Sequence, residues 1–211
     1  MKFHALICAR AGSKGIKNKN IRLFKKKPLI SYPIKLAKKI KRIDSVSVST
    51  DSRKIADISK RYGADIPFIR SKKLSSSTAN EWDVWKDFVK KKNFKSKDDI
   101  IVILPATSPF RIKKDVEKCI SLYKKSFLDY VIVTTKASHN PHFNMVKKNE
   151  NNLVKICMPL KKKIIRRQDA PKIYNITTIC FVVSAKYILS KKSGQHATLK
   201  SGKVGAIEIP Y

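Results

Sequence analysis

Short, fully apolar runs alternate along this chain with segments whose apolar residues recur at helical spacing, and that alternation leaves few architectures open. Phe3–Cys8 reads as a buried strand, followed by a polar loop over Ala9–Asn20. Leu29–Lys41 carries Ile30, Ile34, Ala37 and Ile40 at helical spacing. Val46–Ser49 is a short strand, Ser52–Tyr62 a helix stopped by Gly63, and Ile66–Ile69 a further strand. Thr78-Ala79-Asn80-Glu81 has the form of a capping box, opening a helix with Trp82, Trp85, Phe88 and Val89 on one face. Ile100–Leu104 is a strand closed by Pro105, Asp115–Tyr123 a helix, and Tyr130–Thr135 a strand. The rhythm predicts an α/β fold: a mostly parallel sheet with helices on both faces.

Residues 139–175 break the rhythm. Asn140-Pro141 and Lys148–Asn152 are turn signals around strand candidates Phe143–Lys147 and Leu153–Met158, which reads as a hairpin insertion. Thr177–Val183, Ala185–Leu189 and Val204–Ile209 then give strand, helix and strand. With no repeat and no linker, residues 1–211 are expected to form a single domain carrying that insertion.

Composition narrows the class. Hydrophobic residues make up 42% of the 211, too many for a disordered chain. The longest apolar runs are strand-length, and the N-terminal one is too short for a signal peptide, so a cytoplasmic chain without a membrane span is expected. Cys8, Cys119, Cys157 and Cys180 lie far apart, which favours buried reduced thiols over a disulfide framework or zinc site. Forty-eight Lys and Arg against 15 Asp and Glu leave a formal charge of +33, which attracts polyanions nonspecifically. The lysine runs are dispersed, among them 25–27, 90–92, 161–163 and 191–192, rather than gathered into one face with interleaved aromatics. A nucleic-acid-binding protein stays open as the rival class.

The loop after the first strand carries most of the chemistry. It reads Ala9-Arg10-Ala11-Gly12-Ser13-Lys14-Gly15-Ile16-Lys17-Asn18-Lys19-Asn20. In open α/β sheets ligands bind at the carboxyl ends of the strands. Gly12 and Gly15 let backbone N–H groups approach an anion, while Arg10, Lys14 and Lys19 bring positive charge for a polyphosphate. Ser13 and Asn20 add hydrogen-bond donors. Neither the Walker loop nor the dinucleotide fingerprint is present, so from chemistry alone a flexible basic loop remains equally open.

That loop resembles the acylneuraminate cytidylyltransferase family, and further matches follow in order. These are Val48–Asp51, Phe68-Ile69-Arg70 with Leu74–Ala79, Leu104–Arg111 against the family's Pro-Thr-Ser-Pro-Leu-Arg element, and Arg166–Asp169. The resemblance covers nearly the whole chain. It implies a Rossmann-like nucleotide-diphospho-sugar-transferase fold and transfer of CMP from CTP to an acidic keto-sugar, with pyrophosphate released and Mg²⁺ required. Arg10, Lys14 and Lys19 would be catalytic. Ala9, Arg10, Gly12, Ser13, Lys14, Asn20, Arg70, Ala79 and Ser108 would bind the nucleotide, and Thr107, Arg167 and Gln168 the sugar. It also implies a homodimer that exchanges contacts through the insertion near 139–175.

The chain departs from the pattern in four places. Pro105-Ala106 stands before Thr107 where sialic-acid enzymes often carry Gln, a variant found in enzymes for flagellin and surface-polysaccharide sugars. A second arginine expected for sialic acid is missing near Asn175, and Ser77 stands where Asp is frequent. The family's metal-binding Asp-x-Asp segment follows a strand matched here by Val204–Ile209, and the sequence ends at Tyr211. The expectation is therefore CTP binding with weak turnover. Legionaminic, pseudaminic and octulosonic acids are the rival sugars. The octulosonic group ranks lower, since it shows Gly-Asp-Glu-Pro where this chain has Ala106–Pro109. Asp51 is a weak metal candidate, and a helix N-cap is an equal reading of it. His139 and His142 read as loop residues, and Trp82 and Trp85 as core.

Overall fold

The computed structural model describes residues 1–94, 98–190, 199 and 201–210, which leaves the lysine pair 191–192 and Tyr211 outside. The chain divides into two compact units, the first comprising Met1–Val133 with Thr178–Ile207 and the second Thr134–Thr177 with Glu208–Tyr211.

In the first unit β1 (Phe3–Cys8) is followed by a loop, a small hairpin of β2 (Leu23–Phe24) and β3 (Lys27–Pro28), and α1 (Ser31–Lys38). Then come β4 (Ser45–Ser49), α2 (Arg53–Arg61), α3 (Glu81–Lys92), β5 (Ile100–Ile103), α4 (Lys113–Lys125) and β6 (Tyr130–Lys136). The second unit holds the hairpin β7 (Val146–Lys148) and β8 (Val154–Ile156), and β9 (Tyr174–Ile176), which pairs antiparallel with Thr134–Lys136 of β6. The chain closes with β10 (Phe181–Ser184), α5 (Ala185–Ser190) and β11 (Val204–Glu208).

The main sheet runs β11-β6-β10-β5-β1-β4. β1 pairs parallel with β4 and β5, and β10 lies antiparallel between β5 and β6. Alternate residues of a strand face opposite sides of the sheet. Leu6, Ile101, Ile103, Tyr130, Ile132, Phe181 and Val183 form one buried cluster with Trp82, Trp85 and Phe88 of α3 and Tyr187 and Ile188 of α5. The intervening residues Ala5, Ile7, Val102, Val131 and Val182 are just as buried, where α1 contacts β1 and β4 and α4 contacts β10. Helices therefore cover both faces, and the two tryptophans are core residues with ring centroids 5.1 Å apart.

Local chemistry explains where the reading of the sequence shifts. The cap of α3 is Asn80, whose side-chain oxygen accepts the Trp82 N–H at 2.9 Å, and Thr78 instead pairs with Ser76. Asn80 is extended at φ −72° and ψ 131°, the cap conformation, so the helix starts two residues later than a Thr78 box requires. Ser52, not Asp51, caps α2 by accepting the Ile55 N–H. Residues 66–69 form no strand. They give only single bridges at Ser47–Asp65 and Thr50–Ile69, flanking Pro67, which has no N–H to donate. Gly63 ends α2 at φ +83°, a left-handed conformation suited to glycine. Lys25 and Lys26 are also left-handed and form the two-residue turn of the β2–β3 hairpin. Among the described residues no helix is long and apolar enough to cross a membrane.

Candidate active site

Parallel strands bring their carboxyl ends to one edge, and the chain uses that edge. The Ala9 N–H donates to the Ser49 carbonyl at 3.0 Å, Arg70 N–H to Thr50 at 2.8 Å and Leu104 N–H to Leu6 at 2.9 Å, holding the segments after β1, β4 and β5 side by side. They surround a cleft of about 530 Å³.

One wall is the loop after β1, which supplies Arg10, Ser13, Lys14, Gly15, Lys19 and Asn20. Two side chains brace it. The Asn20 amide, 6% exposed, donates to the Arg10 carbonyl at 2.9 Å, and the Asp51 carboxylate accepts the Ala11 N–H at 3.0 Å. Asn18, at φ 54°, turns the chain between them. Gly15 lines the cleft. Gly12 does not, and a methyl group built at either glycine would meet no atom within 4 Å. Buried Ala9 supports the loop from beneath.

The facing wall is the 70–79 segment. Arg70 is 5% exposed and donates from Nε to the Ser75 hydroxyl at 3.1 Å, while Arg10 Nη1 reaches the Ser75 carbonyl at 3.3 Å. Ser76, Ser77 and Ala79 continue that wall, and Cys8, Glu81, Val84 and Phe181 also line the cleft. Burial pushes the Cys8 thiol up to about 12, so it is no nucleophile at neutral pH. Burial also raises the Glu81 carboxyl, partly offset by the Trp85 indole and the Arg70 charge, although solvent still reaches this side chain. The sequence places Glu81 in a helix cap, and the structure adds it to the lining; its position two residues after Ala79, at the start of α3, is the signal in the sequence.

The third wall is Pro105, Ala106 and Thr107 with Thr178. Ser108 faces away from this cleft, and its hydroxyl donates to the Thr178 carbonyl at 3.0 Å. Arg111, 6% exposed, locks the same two segments: Nη2 donates to the Pro105 carbonyl at 2.7 Å and Nε to the Ile179 carbonyl. Desolvation pushes this guanidinium down to about 10, so its charge is held against the cost of burial by carbonyl dipoles.

Among the described lining residues, four cations (Arg10, Lys14, Lys19 and Arg70) face one carboxylate, Glu81. Such a surface can hold a polyphosphate against the loop and a small polar group against Glu81. No three His, Cys, Asp or Glu gather among the described residues, and Asp51 accepts the Ala11 N–H. Among the described lining residues Glu81 is the carboxylate that could meet a divalent cation held with a polyphosphate.

Arg167 and Gln168 belong to the second unit, where they line a separate cavity of about 320 Å³ with Lys136, Asn140 and Lys172. Arg167 Nη2 donates to the Ser138 carbonyl at 2.5 Å, and Asn140 bonds the Pro171 carbonyl at 2.8 Å. His142 spends Nδ1 on the Met158 carbonyl and His139 pairs with Ser138, both local loop contacts. The four cysteines are free thiols, with Cys119 and Cys180 buried and Cys8 and Cys157 partly exposed.

Residues 4–198 match the family model described as cytidylyltransferase. The chain is 33% identical over 189 residues to the post-translational flagellin modification protein B of Campylobacter coli, covering 89% of this chain and 79% of that one. It is 32% identical over 196 residues to the CMP-N,N'-diacetyllegionaminic acid synthase of Legionella pneumophila, covering 92% and 82%. Its fold matches a CMP:2-keto-3-deoxy-manno-octonic acid synthetase complexed with CTP at TM-score 0.72 and 15% identity, over 100% of this chain and 91% of that one. A 4-diphosphocytidyl-2C-methyl-D-erythritol synthase from Anaerococcus prevotii matches at TM-score 0.64 and 17% identity, over 100% and 90%. With its sequence matched from residue 4 to residue 198 and relatives above 30% identity over most of its length, the chain belongs to the cytidylyltransferase family.

Proposed function

We propose that this protein transfers CMP from CTP to an acidic nonulosonic sugar and releases pyrophosphate. The observation that carries the reading is the cleft at the carboxyl ends of β1, β4 and β5, with Arg10, Lys14 and Lys19 on one loop and Glu81 among its lining groups. The CMP-sugar product in the Legionella relative's name supports the nonulosonic class. In the reaction the sugar hydroxyl attacks the α-phosphorus, the new C–O–P bond forms, and the bond to the β-phosphate oxygen breaks. Charge accumulates on the departing pyrophosphate, so fixed cations and good alignment do most of the work. Arg10, Lys14 and Lys19 cover that charge, with Ser13 and Gly15 lining the cleft beside them. Arg70, Ala79 and Glu81 take the nucleoside, and Thr107 lies on the wall opposite.

The second unit's cavity suits the acid of the sugar. Lys136, Arg167 and Lys172 line it without a carboxylate, and arginine matches a carboxylate in bidentate fashion. That unit also exposes Val146, Leu153, Val154, Met158, Ile165 and Ile176, an apolar surface suited to a second copy of the chain. The working partners are thus CTP, the acidic sugar and a homodimer mate, in the cytoplasm where CTP is made. Sedimentation equilibrium checks the dimer. A thermal-shift screen over CTP, ATP, GTP, UTP and RNA tests the nucleotide reading. A CTP-selective shift that Lys14→Ala abolishes supports it, and stabilisation by RNA alone overturns it.

A further inference from the structure

A second cleft in the first unit, of about 250 Å³, shares no lining residue with the nucleotide cleft. We propose that it is an anion site for an oxyanion of the phosphate class. It lies between α1 and the 108–111 turn. Lys27, Lys35, Lys39 and Arg111 line it with the hydroxyls of Ser31 and Ser108, and no carboxylate does. Among the described residues no ion pair involves Lys27, Lys35 or Lys39, and the Lys35 ammonium rests 5.0 Å from the Tyr62 ring.

Two of these lining side chains carry a buried polar atom without a partner among the described residues. Ser31, at 0% exposure, has an unbonded Oγ, and Arg111, at 6%, has an unbonded Nη1. Arg111 has already committed its other nitrogens to the carbonyls of Ile179, Pro105 and Thr178, so Nη1 is the donor left over. A buried donor on a cation is costly to leave unmade, and four like charges around one small cavity repel. An oxyanion relieves both costs, accepting from the guanidinium and the hydroxyl while the lysines neutralise it. Ser31 is also the first residue of the eight-residue α1, where the helix dipole favours negative charge. The cleft shares a wall with the nucleotide site, since Ser108 bonds the Thr178 carbonyl and Thr178 lines the larger cleft.

The test titrates inorganic phosphate, and separately pyrophosphate, into the protein by calorimetry at about 0.15 M KCl, where long-range attraction to the net charge is screened. Each titration is repeated in Lys14→Ala, which disables the nucleotide cleft, so a failure of the proposed function leaves this result readable. The expected result is one saturable site in Lys14→Ala, joined in the unsubstituted protein by pyrophosphate binding at the nucleotide cleft; added to Lys14→Ala, Ser31→Ala weakens that one site by about tenfold, the loss that one hydrogen bond to a charged group carries. Ser31→Ala changes no charge, and its melting temperature without phosphate stays at the wild-type value or above. Lys39→Glu, on an exposed side chain, weakens binding further, whereas Lys162→Glu, the same charge change in the second unit, does not. The tighter of the two probes identifies the ligand as a mono- or diphosphate. No saturable binding, binding lost in Lys14→Ala, binding indifferent to Ser31→Ala, or equal losses in Lys39→Glu and Lys162→Glu would each overturn the proposal.

Discussion

Replacing Arg111 by Met removes the clamp between the Pro105 segment and the Thr178–Ile179 segment while keeping most of the side chain's bulk. The bonds to the Pro105 and Ile179 carbonyls are lost, together with a weaker one to Thr178 at 3.4 Å. Each half-buried carbonyl that loses its guanidinium donor costs about 1–3 kcal/mol, so the two together cost about 2–6 kcal/mol. Removing a guanidinium with an unpartnered Nη1 returns about 1–3 kcal/mol of the same kind. The balance is a loss of about 2 kcal/mol. For a chain of this length each kcal/mol moves the melting temperature by about 2–4 °C, which gives a drop of about 4–8 °C. Scanning calorimetry reads the drop, and CTP titration reads the cleft, because Pro105, Thr107 and Thr178 line it. Arg111→Lys keeps a charge but not the fork, and its melting temperature falls between the two. A Met variant that melts within about 2 °C of wild type and binds CTP unchanged refutes the clamp.

Glu81→Gln tests the partly desolvated carboxyl that lines the cleft. Its folded pKa lies above the ordinary 4.5, so the folded state holds a proton that the unfolded chain has already released. Wild-type stability therefore falls as pH rises from 4.5 through the folded pKa, and the Gln variant is more stable than wild type at pH 7 but not at pH 4. Solvent contact keeps the gain small, and urea melts at the two pH values measure it. Lys26→Gly relieves a left-handed lysine at φ 63° in the β2–β3 turn, with an expected gain of about 1 kcal/mol in the same melts. Asn20→Ala frees the loop after β1 by removing the bond to the Arg10 carbonyl, so CTP affinity falls about tenfold while the melting temperature without nucleotide moves little.

What the sequence alone determined is what neighbouring residues decide. β1 spans Phe3–Cys8 as its apolar run demands, and α2 and α4 match their helical spacing to within two residues at each end, because periodicity and capping act over a few positions. The basic loop could be placed at a strand end for the same reason. The β2–β3 hairpin was hidden because its turn is Lys25-Lys26, where the turn type favours Asn-Gly, so nothing in the local sequence announces it. β9 was missed because its three exposed residues have no buried face to show as a pattern. Only the tertiary structure placed β10 antiparallel between β5 and β6, since pairing partners such as Phe181 and Ile103 are distant in the chain and strand direction leaves no local mark. The same holds for the site. Arg10 and Lys14 announced themselves, whereas Arg111 became a clamp, Glu81 a lining group and Ser31 a bare hydroxyl only when folding brought distant carbonyls near one and left another without a partner. A hydrogen bond between Arg111 and Ile179, 68 residues apart, is set by how the sheet closes rather than by the identity of either neighbour in the chain.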